Sequence, residues 1–147
     1  MKRAGFTMIE LIFVIVILGI LAAVAIPKLA ATRTDANVAK GASNVATLVS
    51  DLGAYYTGQG TFNFNAGGVA TMTNVVVDTT QAADGTKFYY EIPTGTNCIG
   101  ITISNTNGSV VVSDDSGTGS AECEGVITKI TANGLVKTTN FGGTSVQ

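Results

Sequence analysis

A single carboxylate, Glu10, lies near the start of an apolar segment that extends from Phe6 to Ile26. As an α-helix this segment would span roughly 30 Å, which is enough to cross the hydrocarbon core of a bilayer. A carboxylate in or near lipid costs about 2–3 kcal/mol or more, so an acid at this depth is expected to have a functional partner. The pattern therefore predicts an ion pair between Glu10 and a cation at the membrane.

The residues before the apolar segment can supply that cation. The short basic start, residues 1–5, predicts a cytoplasmic N-terminus. The small residues Ala4 and Gly5 stand before the apolar segment, whereas a secretory signal peptide is cut after it. Cleavage after Gly5 would retain the segment and make the amine of Phe6 the new N-terminus, one helical turn from Glu10. In a stack of identical chains offset along their axes, this amine can meet Glu10 of a neighbour.

The sequence GFTMIEL at residues 5–11 resembles the cleavage and methylation signal of bacterial type IV prepilins and type II secretion pseudopilins. The resemblance implies that a prepilin peptidase cuts after Gly5 and methylates Phe6. It also implies that Glu10 pairs with the N-terminus of a neighbouring subunit during assembly. The resemblance is specific over residues 1 to about 60 and rests only on architecture beyond them. The simpler alternative is a plain signal-anchor with a chance glutamate.

A long helix must position these groups. Pro27 lacks an amide hydrogen, so it should bend this helix without ending it. The resemblance implies the same for Pro27, and it places Gly19 in a stretch that can loosen inside a filament. Beyond Pro27, apolar residues recur at spacings of three and four, which predicts an amphipathic helix: Val38, Ala42, Val45, Val49, Leu52 and Tyr56. Gly58 and Gly60 should end it.

The chain divides accordingly into predicted parts. Residues 1–5 form a cytoplasmic leader peptide, residues 6–27 a membrane-spanning and polymerisation segment, and residues 28–57 an amphipathic helix. Residues 58–84 are a linker with one apolar triplet at 75–77, expected as a surface loop with one short strand or helical turn. Residues 85–147 form a β-sheet head with a C-terminal disulfide loop.

The head should contain about four antiparallel strands. Apolar and β-branched runs separated by turn residues predict them, at residues 88–92, 99–104, 110–113, 126–131 and 135–139, with turns at 105–108 and at Asn133-Gly134. Such a sheet packed against the long helix is an α+β fold and resembles the pilin head.

Cys98 and Cys123 are the two cysteines of the chain. In an exported domain they predict a disulfide, with two free thiols as the alternative. The bridge would stabilise the head by roughly 3 kcal/mol on the loop-entropy account. Pilins commonly have such a bridge whereas many major pseudopilins lack it, so the pair favours a pilin. The tail after Cys123 is longer than in many pilins.

Acidic residues at 114–122 raise a second possibility, a calcium site with Asp114, Asp115 and Glu122 as candidate ligands. Major pseudopilins have a calcium site near the C-terminus. The spacing does not fit the twelve-residue helix–loop–helix pattern, and a solvated acidic loop is the alternative. Apart from calcium, we expect no cofactor.

Composition argues against an enzyme and against direct nucleic-acid binding. Histidine and tryptophan are absent, and no Gly-rich phosphate loop appears. From Asp51 onward there are eight acids and three bases, so the head is acidic. Only 12% of all residues are charged, which suits a subunit that buries much of its surface in a polymer.

The sequence therefore predicts a structural subunit of a type IV pilus-like filament. It would first lie in the bacterial inner membrane as a single-pass protein with a periplasmic head, and later in a surface pilus. Expected partners are copies of itself, a prepilin peptidase, an inner-membrane assembly platform and an assembly ATPase. The first alternative is a pseudopilin of a type II secretion system, in a periplasmic pseudopilus. The second is a monomeric bitopic protein whose periplasmic head binds a ligand.

Overall fold

The computed structural model describes residues 5–64, 67–79, 86–92, 95–114 and 120–142. In chain order its elements are α1 (Met8–Gln59), α2 (Val69–Met72), β1 (Lys87–Ile92), β2 (Thr96–Ser104), β3 (Ser109–Asp114), α3 (Ala121–Ala132) and β4 (Thr138–Asn140). The chain separates into two compact units, Met1–Thr34 and Asp35–Gln147. A long apolar helix with a small antiparallel sheet confirms the predicted α+β class.

Helix α1 continues through Pro27 and ends at Gln59. It ends because Gly60 adopts a left-handed conformation, φ 73°, which a residue with a Cβ rarely adopts. The amide of Gly60 donates to the carbonyl oxygen of Tyr56 at 2.7 Å, which satisfies one of the last carbonyls of the helix. Gly60 thus ends the helix as predicted, whereas Gly58, the other predicted stop, lies inside the helix.

The C-terminal half of α1 presents one apolar stripe to the core. Six residues of it are buried, at spacings that return to one face of a helix: Gly41, Ala42, Val45, Leu48, Leu52 and Gly53. Val38, Val49 and Tyr56 are partly buried beside them. The amphipathic helix predicted from sequence is confirmed, although Leu48 and the two glycines were not among the residues used to predict it.

The sheet has the strand order β1-β2-β3-β4, with every neighbouring pair antiparallel. The predicted hairpin between β2 and β3 is confirmed, since Ser104 pairs with Ser109 and residues 105–108 form the turn. Gly108 has a φ of 58° in this turn. Strand β2 is central to the core, and its residues 98–101 are all buried.

The predicted strand at 126–131 is wrong, because these residues belong to helix α3. The side chain of Ser120 caps this helix by accepting a hydrogen bond from the amide of Cys123 at 3.1 Å. Cys123, Val126 and Ile130 are buried at spacings of three and four, the spacing of a helix face. The β-branched residues of the segment favour strands only weakly, and tertiary packing overrides that preference.

The turn predicted at Asn133-Gly134 ends α3 and does not join two strands. Gly134 has a φ of 66°, and the amide of Leu135 donates to the carbonyl oxygen of Ile130 at 2.9 Å. The final strand does exist, but as Thr138–Asn140 paired with β3, so the prediction at 135–139 begins too early.

The linker is only partly the surface loop that was predicted. Phe62, Val69 and Met72 lie in the hydrophobic core with at most 5% of their surface exposed. The predicted helical turn exists as α2, although it precedes the apolar triplet 75–77. Phe62, Val69 and Met72 are isolated apolar side chains among Thr, Asn and Gly, and no periodic pattern in the sequence predicts that they are buried. The linker positions 65, 66 and 80–84 lie outside the described residues.

Helices α1 and α3 approach closely because small residues stand where they meet. A Cβ built on Gly41 would lie 2.8 Å from a methyl of Val126, and one on Gly125 would lie 2.7 Å from a methyl of Val38. A valine side chain of the opposite helix thus packs against each glycine.

The side chain of Asn105 forms hydrogen bonds with the backbone of the linker, as a neighbouring strand would. Its Oδ1 accepts a hydrogen bond from the amide of Phe62 at 2.6 Å, and its Nδ2 donates to the carbonyl oxygen of Phe62 at 3.4 Å.

Asn105→Ala should leave the backbone amide and carbonyl of the buried Phe62 unpaired and destabilise the head by about 1–3 kcal/mol. Urea unfolding followed by tyrosine fluorescence measures the loss. Asn107→Ala, an exposed change in the same turn, is the matched control; an equal effect of both would contradict the assignment.

Candidate assembly site at the N-terminus of helix α1

Thr7 and Glu10 form a closed hydrogen-bonded group at the start of α1. The amide and the hydroxyl of Thr7 both donate to Oε2 of Glu10, at 2.8 Å and 2.7 Å. In return the amide of Glu10 donates to the hydroxyl oxygen of Thr7 at 3.3 Å. This reciprocal arrangement is a capping box, which satisfies amides that have no partner inside the helix.

Sequence reasoning missed the role of Thr7. The signal was nevertheless present, because Thr7 and Glu10 have the Thr-x-x-Glu spacing of a capping box directly before an apolar run. From the sequence, Glu10 was interpreted only as one partner of an ion pair. The structure adds that the same carboxylate organises the first turn of its own helix.

The capping box leaves part of the Glu10 carboxylate available for a second partner. Both donors from Thr7 use Oε2, and within the described part of the chain Oε1 accepts no hydrogen bond. A carboxylate has about four acceptor positions on its two oxygens. Glu10 is exposed, so its side chain can cap its own helix and bind a cation of another molecule at once.

Thr7→Val is expected to loosen the first turn of α1, because valine has the shape of threonine without the hydroxyl. Loss of an N-cap costs about 1 kcal/mol, so amide exchange at residues 8–11 should become roughly fivefold faster. Hydrogen exchange on the full chain in micelles measures this effect. Thr7→Ser keeps the hydroxyl and should exchange like the wild type. Unchanged exchange in Thr7→Val would show that the cap contributes nothing.

The N-terminal part of α1 is an uncovered apolar surface. Every residue from 5 to 33 is exposed, including all the large apolar side chains between Phe6 and Leu29. Among the described residues, α1 is the one helix long and apolar enough to cross a membrane. An apolar surface of this extent is expected to contact lipid or other protein. Together with the N-terminal motif, it fits membrane anchoring.

Gly19 and Pro27 both lie inside this exposed part of the helix. No described atom comes within 4 Å of a Cβ built on Gly19, so the chain itself does not require a glycine there. The loosening at Gly19 and the bend at Pro27 remain predictions about an assembled state.

Cys98 of β2 and Cys123 of α3 are joined in a disulfide, as the sequence predicted. Their Cα atoms are 5.5 Å apart, and neither side chain has exposed surface. The bridge therefore ties the central strand of the sheet to the helix that packs on α1.

Two of the three candidate calcium ligands, Asp114 and Glu122, lie in the described residues. Asp114 is exposed at the end of β3, and Glu122 of α3 accepts a hydrogen bond from Nδ2 of Asn37 at 3.0 Å. Asp115 lies outside the described residues. In the described ranges, no three His, Cys, Asp or Glu side chains are grouped so that they can hold a metal ion.

Comparisons with known proteins bear on the same N-terminal residues. Residues 1–26 match the family described as the prokaryotic N-terminal methylation motif. The chain is also similar to type II secretion system core protein G of Dickeya chrysanthemi, with 39% identity over 54 residues. That alignment covers 37% of this chain and 35% of the Dickeya protein, about a third of each. No solved structure matches the chain significantly.

The family match covers the residues of the capping box and the first part of the exposed apolar helix. The comparisons confirm the resemblance carried by residues 5–11 as far as the motif: the chain begins with a prokaryotic N-terminal methylation motif, and part of it is similar to a type II secretion system core protein.

Proposed function

We propose that this chain is a structural, non-enzymatic subunit of a type IV pilus-like filament. The observation that carries the proposal is the methylation motif at residues 1–26, which coincides with the start of a long, exposed apolar helix. A prepilin peptidase cuts after Gly5 and methylates Phe6. The processed chain then polymerises through α1.

Before assembly, residues 6–27 lie in the inner membrane and the head lies in the periplasm. An assembly platform and a cytoplasmic ATPase move the chain from lipid into the polymer. The apolar side chains exchange lipid for neighbouring helices, so little hydrophobic free energy is lost in this transfer. The charged carboxylate of Glu10 distinguishes correct from incorrect packing of neighbouring α1 helices.

Glu10 sets the axial register of neighbouring subunits. Its carboxylate caps its own helix through Oε2 and receives the Phe6 amine of a neighbour through Oε1. Because a buried unpaired carboxylate is costly, a neighbour in any other register is disfavoured. Packing of the apolar surfaces supplies the affinity, and the ion pair supplies the position.

A pseudopilin of a type II secretion system is the second candidate. The similarity to a type II secretion system core protein supports it, whereas the buried disulfide supports a pilin, since many major pseudopilins lack that bridge. A monomeric bitopic protein with a ligand-binding head is the third candidate, and it would require that the chain is not cut after Gly5.

Electron microscopy of sheared surface fibres, with mass spectrometry of their subunit, tests the proposal. Fibres built from a chain that begins at methylated Phe6 and contains the Cys98–Cys123 bridge would support a pilin. A processed chain that polymerises but stays in the cell envelope would favour the secretion candidate. A chain that is never cut would overturn both and leave the bitopic monomer.

A further inference from the structure

We propose that Lys28 and Arg33 bind the phosphate groups of anionic phospholipids, in the leaflet where the apolar part of α1 leaves the bilayer. This contact rests on the proposed function, because it requires α1 to be inserted in lipid. It goes beyond that function by naming a lipid partner that the chain has before assembly.

Lys28 and Arg33 are exposed cations without a partner in their own compact unit, Met1–Thr34. Within the described part of the chain, neither side chain takes part in a hydrogen bond or an ion pair. Glu10 is the one acid in the sequence of this unit, and it lies about 27 Å from Lys28 along the helix. The positions where a helical partner would lie, three and four residues away, are all uncharged: Val24, Ala25, Ala31 and Thr32 around Lys28, and Leu29, Ala30, Ala36 and Asn37 around Arg33.

The end of the apolar surface places both cations at the level of the lipid headgroups. Leu29 is the last large apolar side chain exposed in this unit. Lys28 directly precedes it and therefore lies at the border of the hydrocarbon core. Arg33 follows Leu29 by four residues, or about 6 Å along the helix axis. The headgroup layer is about 5–7 Å thick on each side of the hydrocarbon core, so Arg33 lies within this layer.

The direction and the chemistry of the two side chains fit phosphate at this level. Helical side chains lean toward the N-terminus of the helix, which for this segment is toward the bilayer. Arg33 can bind two oxygens of one phosphate through the parallel N–H groups of its guanidinium. Lys28 can leave its apolar stem in the hydrocarbon while its ammonium group reaches the headgroups.

The angle between the two cations favours lipid over a second protein chain. Five residues correspond to about 500° around the helix, so Lys28 and Arg33 point about 140° apart. A single neighbouring helix covers one side of α1 and does not contact both, whereas headgroups surround an inserted helix on all sides. An anionic headgroup is the better partner, because a zwitterionic headgroup has its own cation beside the phosphate.

Lipid contacts at this level determine how deeply α1 lies in the bilayer. They are broken when the chain leaves lipid for a polymer. Anionic lipid therefore favours the membrane-bound subunit over the assembled one.

Quenching of a single tryptophan by brominated lipid tests the proposal in the full chain. The sequence contains no tryptophan, so Ala25→Trp introduces a unique fluorophore about one turn before Lys28. This chain is reconstituted in phosphatidylcholine vesicles that contain either brominated phosphatidylglycerol or brominated phosphatidylcholine. Bromine quenches tryptophan only at short range, so the ratio of the two quenching effects measures the local preference for anionic lipid.

With both cations present, phosphatidylglycerol should be preferred roughly tenfold or more, because one cation at a membrane surface contributes up to about fivefold. Arg33→Gln should reduce this preference about fivefold, and Lys28→Gln together with Arg33→Gln should remove it. Arg33→Lys keeps the charge and should retain most of the preference. Lys129→Gln removes an exposed cation of the other compact unit and should leave the preference unchanged.

Equal quenching by the two brominated lipids with both cations present would overturn the lipid contact. A preference that survives the loss of both cations would overturn it too, since other groups would then bind the lipid. A preference that rises with the protein-to-lipid ratio would assign the cations to a second copy of the chain and also overturn it. A tryptophan that neither lipid quenches would show that the chain is not inserted, which contradicts the membrane anchoring of the proposed function and keeps the two failures distinguishable.

Discussion

Glu10→Ala is expected to be inserted into the membrane and cut after Gly5 like the wild type, yet to yield no filaments. Insertion should persist because removing the carboxylate lowers the free energy needed to place the apolar segment in lipid. Cleavage should persist because the peptide bond after Gly5 is unchanged. Assembly should fail because the amine of Phe6 would be buried between helices without its counter-charge.

The capping box makes a sharper variant available. Glu10→Ala removes both the charge and the acceptor for the two Thr7 donors. Glu10→Gln removes the charge, but glutamine can still accept a hydrogen bond from Thr7 in a capping box. If charge pairing drives assembly, both variants should fail.

Filament yield by electron microscopy, with the cut and uncut chain followed by immunoblotting, measures the outcome. Thr7→Val is the matched control, since it removes the cap and keeps the charge. Normal filaments from Glu10→Gln, with defective filaments from Thr7→Val, would assign the role of Glu10 to the helix start and contradict the ion pair.

Loss of the disulfide is expected to have the largest effect on the stability of the head. Replacing both Cys98 and Cys123 by alanine should lower the free energy of unfolding by roughly 3 kcal/mol, because the bridge restricts the unfolded chain. For a head of this size the corresponding fall in Tm is roughly 10 °C or more. Both sulfur atoms are buried, so the cavities left behind add to the loss.

Tyrosine fluorescence of the full chain in micelles follows this unfolding, because all four tyrosines lie in the unit Asp35–Gln147 and tryptophan is absent. Wild-type chain treated with a reductant keeps the sulfur atoms and breaks only the bond, so it separates the effect of the bridge from that of the cavities. A reduced chain as stable as the oxidised one would show that the bridge does not stabilise the head.

The N-terminal half of the molecule follows almost entirely from local patterns. A continuous apolar run, one carboxylate at a fixed distance from Gly5, and spacings of three and four beyond Pro27 can each be recognised in a short window of sequence. Helix α1 depends on bonds between residues four apart, and its apolar stripe depends on periodicity, so neither requires knowledge of distant residues. The glycine stop at Gly60 is local for the same reason.

Long-range packing determines the features that local sequence patterns did not predict. Val126 and Ile130 belong to a helix because Gly41 and Gly125 let α3 approach α1, and a β-branched run carries no sign of that contact. Phe62 is buried because Asn105, 43 positions away, pairs with its backbone. Burial in a core depends on which surfaces meet and on which polar groups find partners there. Both are properties of the assembled tertiary structure, and a short stretch of sequence does not contain them.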